Sequence, residues 1–144
     1  MENIVTEYDV GNYIRERTGS FLPKIAPSNI YPTKDGVWLV IGANQDSVWA
    51  RMAEAMEKPH LAEDVRYATH KARGLNQVEL DELITNWTKR IDSDALQLLL
   101  NKNGIPNGKI YRPPEMMEDP QFKARNSIVR IQHKDFGEIA MQNV

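Results

Sequence analysis

A hairpin that leads directly into a helix, residues 25–56, is the part of this sequence that most restricts the fold. Asp35 and Gly36 supply the tight turn, because glycine readily adopts the positive φ that such turns need. Residues 37–41 are Val, Trp, Leu, Val and Ile, an entirely apolar run that predicts a second strand with both faces covered. We therefore expect other elements to pack over each side of a small antiparallel sheet.

Three amphipathic helices follow this strand. Their predicted N-terminal caps are Asn44 or Asp46 for the first, Asn76 in a capping box with Glu79 for the second, and Asp92 or Ser93 for the third. The apolar residues at helical spacing are Val48, Trp49, Met52, Ala53 and Met56, then Leu80, Leu83, Ile84 and Trp87, and finally Leu96, Leu99 and Leu100. One face of each helix is therefore expected to lie in the core.

Shorter elements complete the expected fold. A short helix is predicted at residues 8–17, a brief strand at 110–111, and two short helices that begin near Pro113 and Pro120. The alternating pattern of residues 128–141 predicts a closing hairpin. The fold class is therefore α+β, with a small, mostly antiparallel sheet formed by N-terminal and C-terminal hairpins and packed with several helices.

Composition narrows the range of partners. The chain has 144 residues, a length typical of one domain, and its 18 basic against 20 acidic side chains leave a net charge of -2. Such a chain has no overall field to attract nucleic acid or an anionic membrane, so neither partner is expected. The absence of cysteine excludes a disulfide frame and a thiol nucleophile. No secretory signal or membrane-spanning run is visible, so we expect a cytoplasmic protein.

No motif in the chain predicts a catalytic or metal-binding residue. The histidines His60, His70 and His133 lack partners at metal-ligand spacing, and neither a GxSxG elbow nor a glycine-rich phosphate loop is present. The other charged and aromatic groups are assigned to structure: Glu79, Asp81 and Glu82 to a solvated helix face, Lys71, Arg73, Lys89 and Arg90 to the surface, and Trp38, Trp49 and Trp87 to the core.

One segment before the hairpin has a different character. Residues 15–21 place two arginines beside a flexible Gly-Ser pair and an aromatic ring, without a helical or strand period. Irregular segments of compact domains are often binding loops, although a linker explains the same composition.

Four segments in order carry a resemblance to a known family. They are IAPSNIYPTKDGVWLVIGANQDSVW at 25–49, HLAEDVRYATHKARGLNQVELDELITNWT at 60–88, LLLNKNGIPNGKIY at 98–111 and EDPQFKARNSIVRIQH at 118–133. Together they resemble the smaller domain of the family III CoA-transferases, the CaiB/BaiF group that includes formyl-CoA transferase. The resemblance covers most of the chain and keeps its order, but it points to no particular substrate.

The resemblance implies an enzyme larger than this chain. Residues 1–24 would be the remnant of a segment crossing from a large domain, and residues 25–144 would be the small domain. The catalytic aspartate would lie in the large domain, so no catalytic residue is expected here and the isolated chain should be inactive. Coenzyme A would be a substrate, with no other cofactor, and an acyl-CoA and a carboxylic acid would be the reactants. The full-length protein would form an interlocked homodimer.

Two positions follow from the resemblance. A glycine-rich loop that closes over the catalytic aspartate in formyl-CoA transferase corresponds to Arg17, Thr18, Gly19, Ser20 and Phe21, the candidate substrate loop. Racemases of the family carry a glutamate base where this chain has Gln45. An amide cannot abstract a proton, so CoA transfer is favoured over racemisation. The alternatives are an α-methylacyl-CoA racemase and a stand-alone, non-catalytic binding or assembly module.

Overall fold

The computed structural model describes residues 3–143. These residues contain seven α-helices and two separate antiparallel sheets, joined by loops and a 3-10 helix. The first of two compact units ends at Lys109 and the second begins at Ile110. The first contains α1 (Ile4–Gly11), β1 (Ser28–Pro32), β2 (Trp38–Gly42), α2 (Asp46–Ala55), a 3-10 helix (Pro59–Ala62), α3 (His70–Leu75), α4 (Gln77–Thr88), α5 (Ser93–Lys102) and β3 (Asn107–Lys109). The second contains α6 (Pro113–Glu118), α7 (Pro120–Ala124), β4 (Ile128–His133) and β5 (Gly137–Gln142). The α+β prediction is confirmed.

The sheet of the first unit has the strand order β1-β2-β3, and both pairings are antiparallel. Gly36 has φ +77° in the turn between β1 and β2, as the sequence predicts. Val40 is the central residue of β2, paired with Ile30 on one side and with Gly108 on the other. The brief strand predicted at 110–111 is wrong in position, because the pairing with β2 ends at Lys109.

The core of this unit lies on one face of the sheet. Leu39 and Ile41 of β2 are completely buried, whereas Trp38 is 46% exposed and Val40 is 43% exposed. The prediction that both faces of this strand are covered, and that Trp38 belongs to the core, is therefore wrong for the chain as it stands. An apolar run shows that both faces can be buried, but it cannot show which elements are available to cover them.

The helical stripes agree with the sequence prediction. The core contains most of the residues expected from α2, α4 and α5, which are Val48, Trp49, Met52, Ala53, Met56, Leu80, Ile84, Leu96 and Leu100. Leu83 and Trp87 are half-buried against it. Apolar residues repeating every 3.6 positions predict the buried face of a helix reliably, because the helix places them on one face whatever element packs against it.

Two of the three predicted N-terminal caps are at the predicted positions, Asn76 for α4 and Asp92 for α5, whereas the cap of α2 is Gln45 rather than Asn44 or Asp46. The predicted side-chain capping bonds are wrong, because none of these three residues makes one. Asn76 Nδ2 instead donates to the carbonyl oxygens of Arg66 and Ala72, at 3.1 and 3.0 Å. Asn side chains readily bond to nearby backbone, so the same residue type serves several local geometries.

Asp35 of the hairpin turn provides the cap of α5 from a distant part of the chain. The backbone N–H of Ser93 donates to Asp35 Oδ1 at 3.1 Å, and the Ser93 hydroxyl donates to Oδ2 at 2.8 Å. The Thr33 hydroxyl donates to the same carboxylate. The side chain of Asp35 thus joins the sheet to the helix, a role beyond forming the turn.

Replacing Asp35 with asparagine is expected to weaken the acid sensitivity of the fold. Hydrogen bonds from Thr33 and Ser93 lower the pKa of Asp35 to about 2. Because this is below the ordinary value of about 3.9, the ionised carboxylate stabilises the fold above about pH 4, and that contribution is lost as the pH falls from about 4 to about 2. Thermal unfolding of D35N should show a smaller loss between these pH values, and a lower melting temperature at pH 6.

The matched control for this experiment is Glu54→Gln, since Glu54 is exposed on α2 and makes no side-chain hydrogen bond or ion pair within residues 3–143. The melting temperature of E54Q should change with pH as that of the wild type does. If D35N loses as much melting temperature on acidification as the wild type, the role of Asp35 is contradicted.

The N-terminal helix is shorter and earlier than the prediction of residues 8–17. It ends at Gly11, and Asn12 takes the left-handed conformation with φ 49° while its N–H bonds to the carbonyl oxygens of Glu7 and Tyr8. Asparagine tolerates this conformation better than most residues, which explains the early stop. Arg15, expected inside the helix, reaches back to Glu7 at 2.6 Å.

The second unit agrees closely with the sequence prediction. Asp119 caps α7 by accepting hydrogen bonds from the N–H groups of Gln121 and Phe122, at 2.8 and 3.0 Å. Strands β4 and β5 form a hairpin through a turn in which Gly137 has φ +70°. These features depend on neighbouring residues only, and this is why local patterns predict them.

Candidate functional site

The candidate substrate loop, Arg17 to Phe21, lies outside regular structure. Gly19 has φ +74° at its tip, and the Thr18 hydroxyl donates to the carbonyl oxygen of Phe21 at 2.7 Å, which closes the loop on itself. Arg17, Gly19 and Ser20 are exposed, whereas Thr18 and Phe21 are half-buried. The loop therefore has a defined shape while keeping most of its polar groups accessible.

A chain of side-chain hydrogen bonds connects this loop to the folded body. The Ser20 hydroxyl donates to Asn29 Oδ1 at 2.7 Å, and Asn29 Nδ2 donates to Asp81 Oδ2 at 2.9 Å. The hydroxyl of Tyr31 donates to Asp81 Oδ1 at 2.5 Å. Burial raises the pKa of Tyr31, and the negative charge of Asp81 raises it further, so the phenol stays protonated and donates. We call Ser20, Asn29, Asp81 and Tyr31 the loop network.

The loop network corrects one sequence assignment. Asp81 was expected on a solvated helix face, but it is half-buried and accepts a hydrogen bond on each carboxylate oxygen. No pattern within α4 distinguishes Asp81 from the exposed Glu82, because its partners come from β1, about 50 residues earlier. The alternation of Asn29 and Tyr31 along β1 is the one sequence signal, since it places both on a defined strand face or edge.

A groove of about 430 Å³ lies beside the loop network. Phe21 and Asn29 line it from the N-terminal side, and Asp81, Thr85 and Lys89 line it from α4. Its charged groups include both signs, so it offers hydrogen bonding rather than a strong electrostatic attraction for one class of ion.

The segment after the loop is tied to α4 by a buried glutamine. Gln77 Oε1 accepts from the N–H of Lys24 at 3.0 Å, and Nε2 donates to the carbonyl oxygens of Leu22 and Ile25, at 3.1 and 3.2 Å. The backbone of Lys24 also approaches Gly74 closely, because an added Cβ there would meet the Lys24 carbonyl oxygen at 2.5 Å. The substrate loop is therefore followed by a segment whose backbone position is well determined.

Gln45 lies at the junction between β2 and α2 and is exposed. Its carbonyl oxygen accepts from the N–H groups of Val48 and Trp49, at 3.0 and 2.8 Å, and this starts the helix. Within residues 3–143 no hydrogen bond joins Gln45 to the substrate loop. The two groups of predicted site residues thus occupy separate places, one before β1 and one after β2.

A buried arginine holds the loop that carries Gln45. Arg73 is completely buried, and its guanidinium donates to the carbonyl oxygens of Ala26, Tyr67 and Asn44, at 3.1, 2.9 and 2.8 Å. It also pairs with Asp46 at 2.6 Å, and this hydrogen bond lowers the pKa of that carboxyl. The assignment of Arg73 to ordinary surface is wrong.

Sequence reasoning missed Arg73 because three of its four partners are backbone carbonyls, which no residue pattern reveals, and the fourth, Asp46, is 27 residues away in the sequence. The small residues on either side, Ala72 and Gly74, are the one signal that this part of α3 packs closely.

Within the described part of the chain, no group of three or more acidic or histidine side chains is arranged to hold a metal ion. None of its helices is both long enough and apolar enough to cross a bilayer. The substrate loop and the turn that carries Gln45 share one property: buried side chains hold their hydrogen-bonding groups in position. Such an arrangement is suited to shaping a loop or contacting a substrate.

Sequence comparison relates the chain to CoA-transferases. The family model for CoA-transferase family III matches residues 1–144. The chain is 54% identical over 144 residues to a succinyl-CoA–D-citramalate CoA-transferase of Chloroflexus aurantiacus, covering 100% of this chain and 36% of the relative. It is 33% identical over 119 residues to a succinate–glutarate CoA-transferase of Agrobacterium fabrum, covering 83% of this chain and 30% of the relative. The chain spans about a third of the length of the curated relatives it matches.

A solved structure supports the same relationship. The crystal structure of a CaiB/BaiF family protein from Brucella suis matches with a TM-score of 0.78 and 28% sequence identity. The match covers 96% of this chain and 39% of that chain. The chain is therefore similar to one part of a larger protein in both sequence and fold.

Proposed function

Because the chain belongs to CoA-transferase family III, we propose that it is the small domain of an enzyme that transfers CoA between an acyl-CoA and a carboxylic acid. The observation that carries this proposal is the family match over residues 1–144 together with 54% identity to a CoA-transferase. Residues 25–144 form the small domain and residues 1–24 cross into it from a large domain. The full-length protein is an interlocked homodimer.

The substrates are succinyl-CoA and a second dicarboxylic acid. Support comes from the relatives, whose names pair succinyl-CoA with D-citramalate or L-malate, and succinate with glutarate. The 54% identity to the D-citramalate enzyme is the highest of these three, so a hydroxylated dicarboxylate is the acceptor we propose first.

The chemistry divides between this chain and the large domain. A carboxylate nucleophile that attacks the thioester lies in the large domain, where it forms a mixed anhydride and releases CoA as the thiolate. This chain contributes the substrate loop, residues 17–21, which contacts the reacting groups. Gln45 occupies the place of the racemase base, and its amide cannot take the proton α to the thioester. Transfer is accordingly the reaction, and racemisation is not.

The test uses the full-length protein with succinyl-CoA and, in separate reactions, citramalate, malate, glutarate and mesaconate. Mass spectrometry should show a new acyl-CoA with at least one acid, formed at the expense of succinyl-CoA. Epimerisation of a 2-methylacyl-CoA without any CoA exchange would replace this proposal with the racemase alternative. The 144-residue chain alone should give no product, and transfer by that chain would disprove the placement of the nucleophile in the large domain.

A further inference from the structure

Ser20 is the one side chain of the substrate loop that is hydrogen-bonded to another segment, within residues 3–143. Its hydroxyl donates to Asn29 Oδ1 at 2.7 Å, whereas the Thr18 hydroxyl bonds inside the loop. Ser20 itself is exposed. A single accessible hydrogen bond therefore connects the polar part of the loop to the sheet.

The acceptor of this bond is held in a fixed orientation. Asn29 Oδ1 also accepts from the N–H of Ile30 at 2.8 Å, while Nδ2 donates to Asp81 Oδ2 at 2.9 Å. Rotating the amide by 180° would place an NH₂ group against the N–H of Ile30 and an oxygen against the carboxylate. Both contacts would become unfavourable, so the oxygen of Asn29 faces Ser20.

The carboxylate behind Asn29 is fixed in turn by the core. Tyr31 is completely buried, and its hydroxyl donates to Asp81 Oδ1 at 2.5 Å. Hydrogen bonds to a carboxylate are stronger than neutral ones, and they strengthen further when shielded from water. The loop network is therefore rigid at its Tyr31 end and weakest at the exposed bond of Ser20.

We propose that Asn29 is a positioning residue for the proposed transferase, and that it latches the substrate loop through the hydroxyl of Ser20. Breaking this bond releases residues 17–21 while the rest of the loop network stays intact. The expected effect on turnover rests on the proposed function. The hydrogen bond between Ser20 and Asn29 that forms the latch does not depend on it. One exposed hydrogen bond changes the ratio of closed to open loop by about threefold to tenfold, a range suited to a loop that opens in each catalytic cycle.

The first experiment measures the latch by limited trypsin digestion of the 144-residue chain, with mass spectrometry following the bond after the exposed Arg17. Ser20→Ala should increase the rate of this cleavage by about threefold to tenfold, because the protease acts on the open loop and the closed state has lost its one external hydrogen bond. Ser20→Thr keeps the hydroxyl and should restore most of the resistance. The control is Ser47→Ala, since Ser47 is also exposed but lies on α2. A cleavage rate in S20A equal to that of the wild type would overturn the proposal.

A second variant tests the role of Asn29 with Ser20 intact. Asn29→Ala removes the amide oxygen that accepts from Ser20, so the latch is lost although the serine hydroxyl remains. Cleavage after Arg17 should accelerate as much as in S20A. A wild-type cleavage rate in N29A would overturn the assignment of Asn29. If N29A unfolds the chain, S20A alone decides, because an exposed serine can be changed without disturbing the core.

Kinetics of the full-length protein then separate a positioning role from a structural one. S20A should lower kcat by about threefold to tenfold while KM for succinyl-CoA stays within about twofold, and S20T should restore kcat. Faster cleavage after Arg17 with unchanged kcat would overturn the positioning role. A complete absence of CoA transfer in the wild type would overturn the proposed function alone, because the digestion measures the latch independently.

Discussion

Arg73→Met is expected to lower the melting temperature of the chain by about 10–20 °C, which corresponds to about 3–5 kcal/mol of unfolding free energy. The guanidinium is completely buried and binds the carbonyl oxygens of Ala26, Tyr67 and Asn44. Methionine fills similar space but donates no hydrogen bond. Each buried carbonyl that loses its donor costs about 1–3 kcal/mol. Of these three carbonyls, that of Asn44 alone keeps a second partner among residues 3–143, the His70 ring at 3.0 Å.

A matched arginine makes this prediction specific. Arg51 also donates to three backbone carbonyl oxygens, those of Asn103, Gly104 and Ser47, at 2.8, 3.0 and 3.2 Å, but it is only half-buried. Water can replace its hydrogen bonds, so Arg51→Met should cost about 1 kcal/mol or less. Equal losses of unfolding free energy in R73M and R51M would show that burial is not what makes Arg73 important. Arg73→Lys should recover only part of the lost free energy, since a single ammonium group cannot reproduce the planar set of donors of a guanidinium.

Gly74→Ala is expected to destabilise the chain by about 2–3 kcal/mol, although alanine is the better helix former by about 1 kcal/mol. The added Cβ would lie 2.5 Å from the Lys24 carbonyl oxygen and 2.9 Å from its carbonyl carbon. Both atoms are backbone, and Gln77 holds this segment from the other side through the Lys24 N–H. Since no flexible side chain can move aside, the steric cost exceeds the gain in helix propensity.

The control is Gly42→Ala, because a Cβ on Gly42 meets no atom within 4 Å. Chemical denaturation should place G42A within about 1 kcal/mol of wild type and G74A well below it. Exchange at residues 22–26 should also increase in G74A, as the segment is pushed from α3. A G74A protein as stable as G42A would contradict the close approach of the Lys24 backbone to α3.

Local patterns account well for elements whose cause lies within a few residues. The hairpin turn at Gly36, the apolar stripe of α4 and the cap of α7 by Asp119 all follow from turn chemistry, helical period or capping chemistry. The boundary of α1 was missed because Asn12 can either continue or stop a helix, and its left-handed conformation is a choice the sequence leaves open.

The candidate site was predictable only in part. The residue composition and the family resemblance single out residues 17–21 and Gln45, and the structure shows a loop and a helix start at these places. Asn29 and Asp81 were not singled out, because the bond between them spans 52 residues of sequence. Each looks like an ordinary polar residue until β1 and α4 are packed together.

The sequence by itself determined the order and type of most elements, the stripes that face the core and the family. Only the tertiary structure decided which polar groups are buried and what they hold: Arg73 at three carbonyl oxygens, Asp35 at the start of α5, and Asp81 beneath the substrate loop. The physical reason is that helical and strand periods are properties of neighbouring residues, whereas the partner of a buried polar group is set by the packing of distant segments.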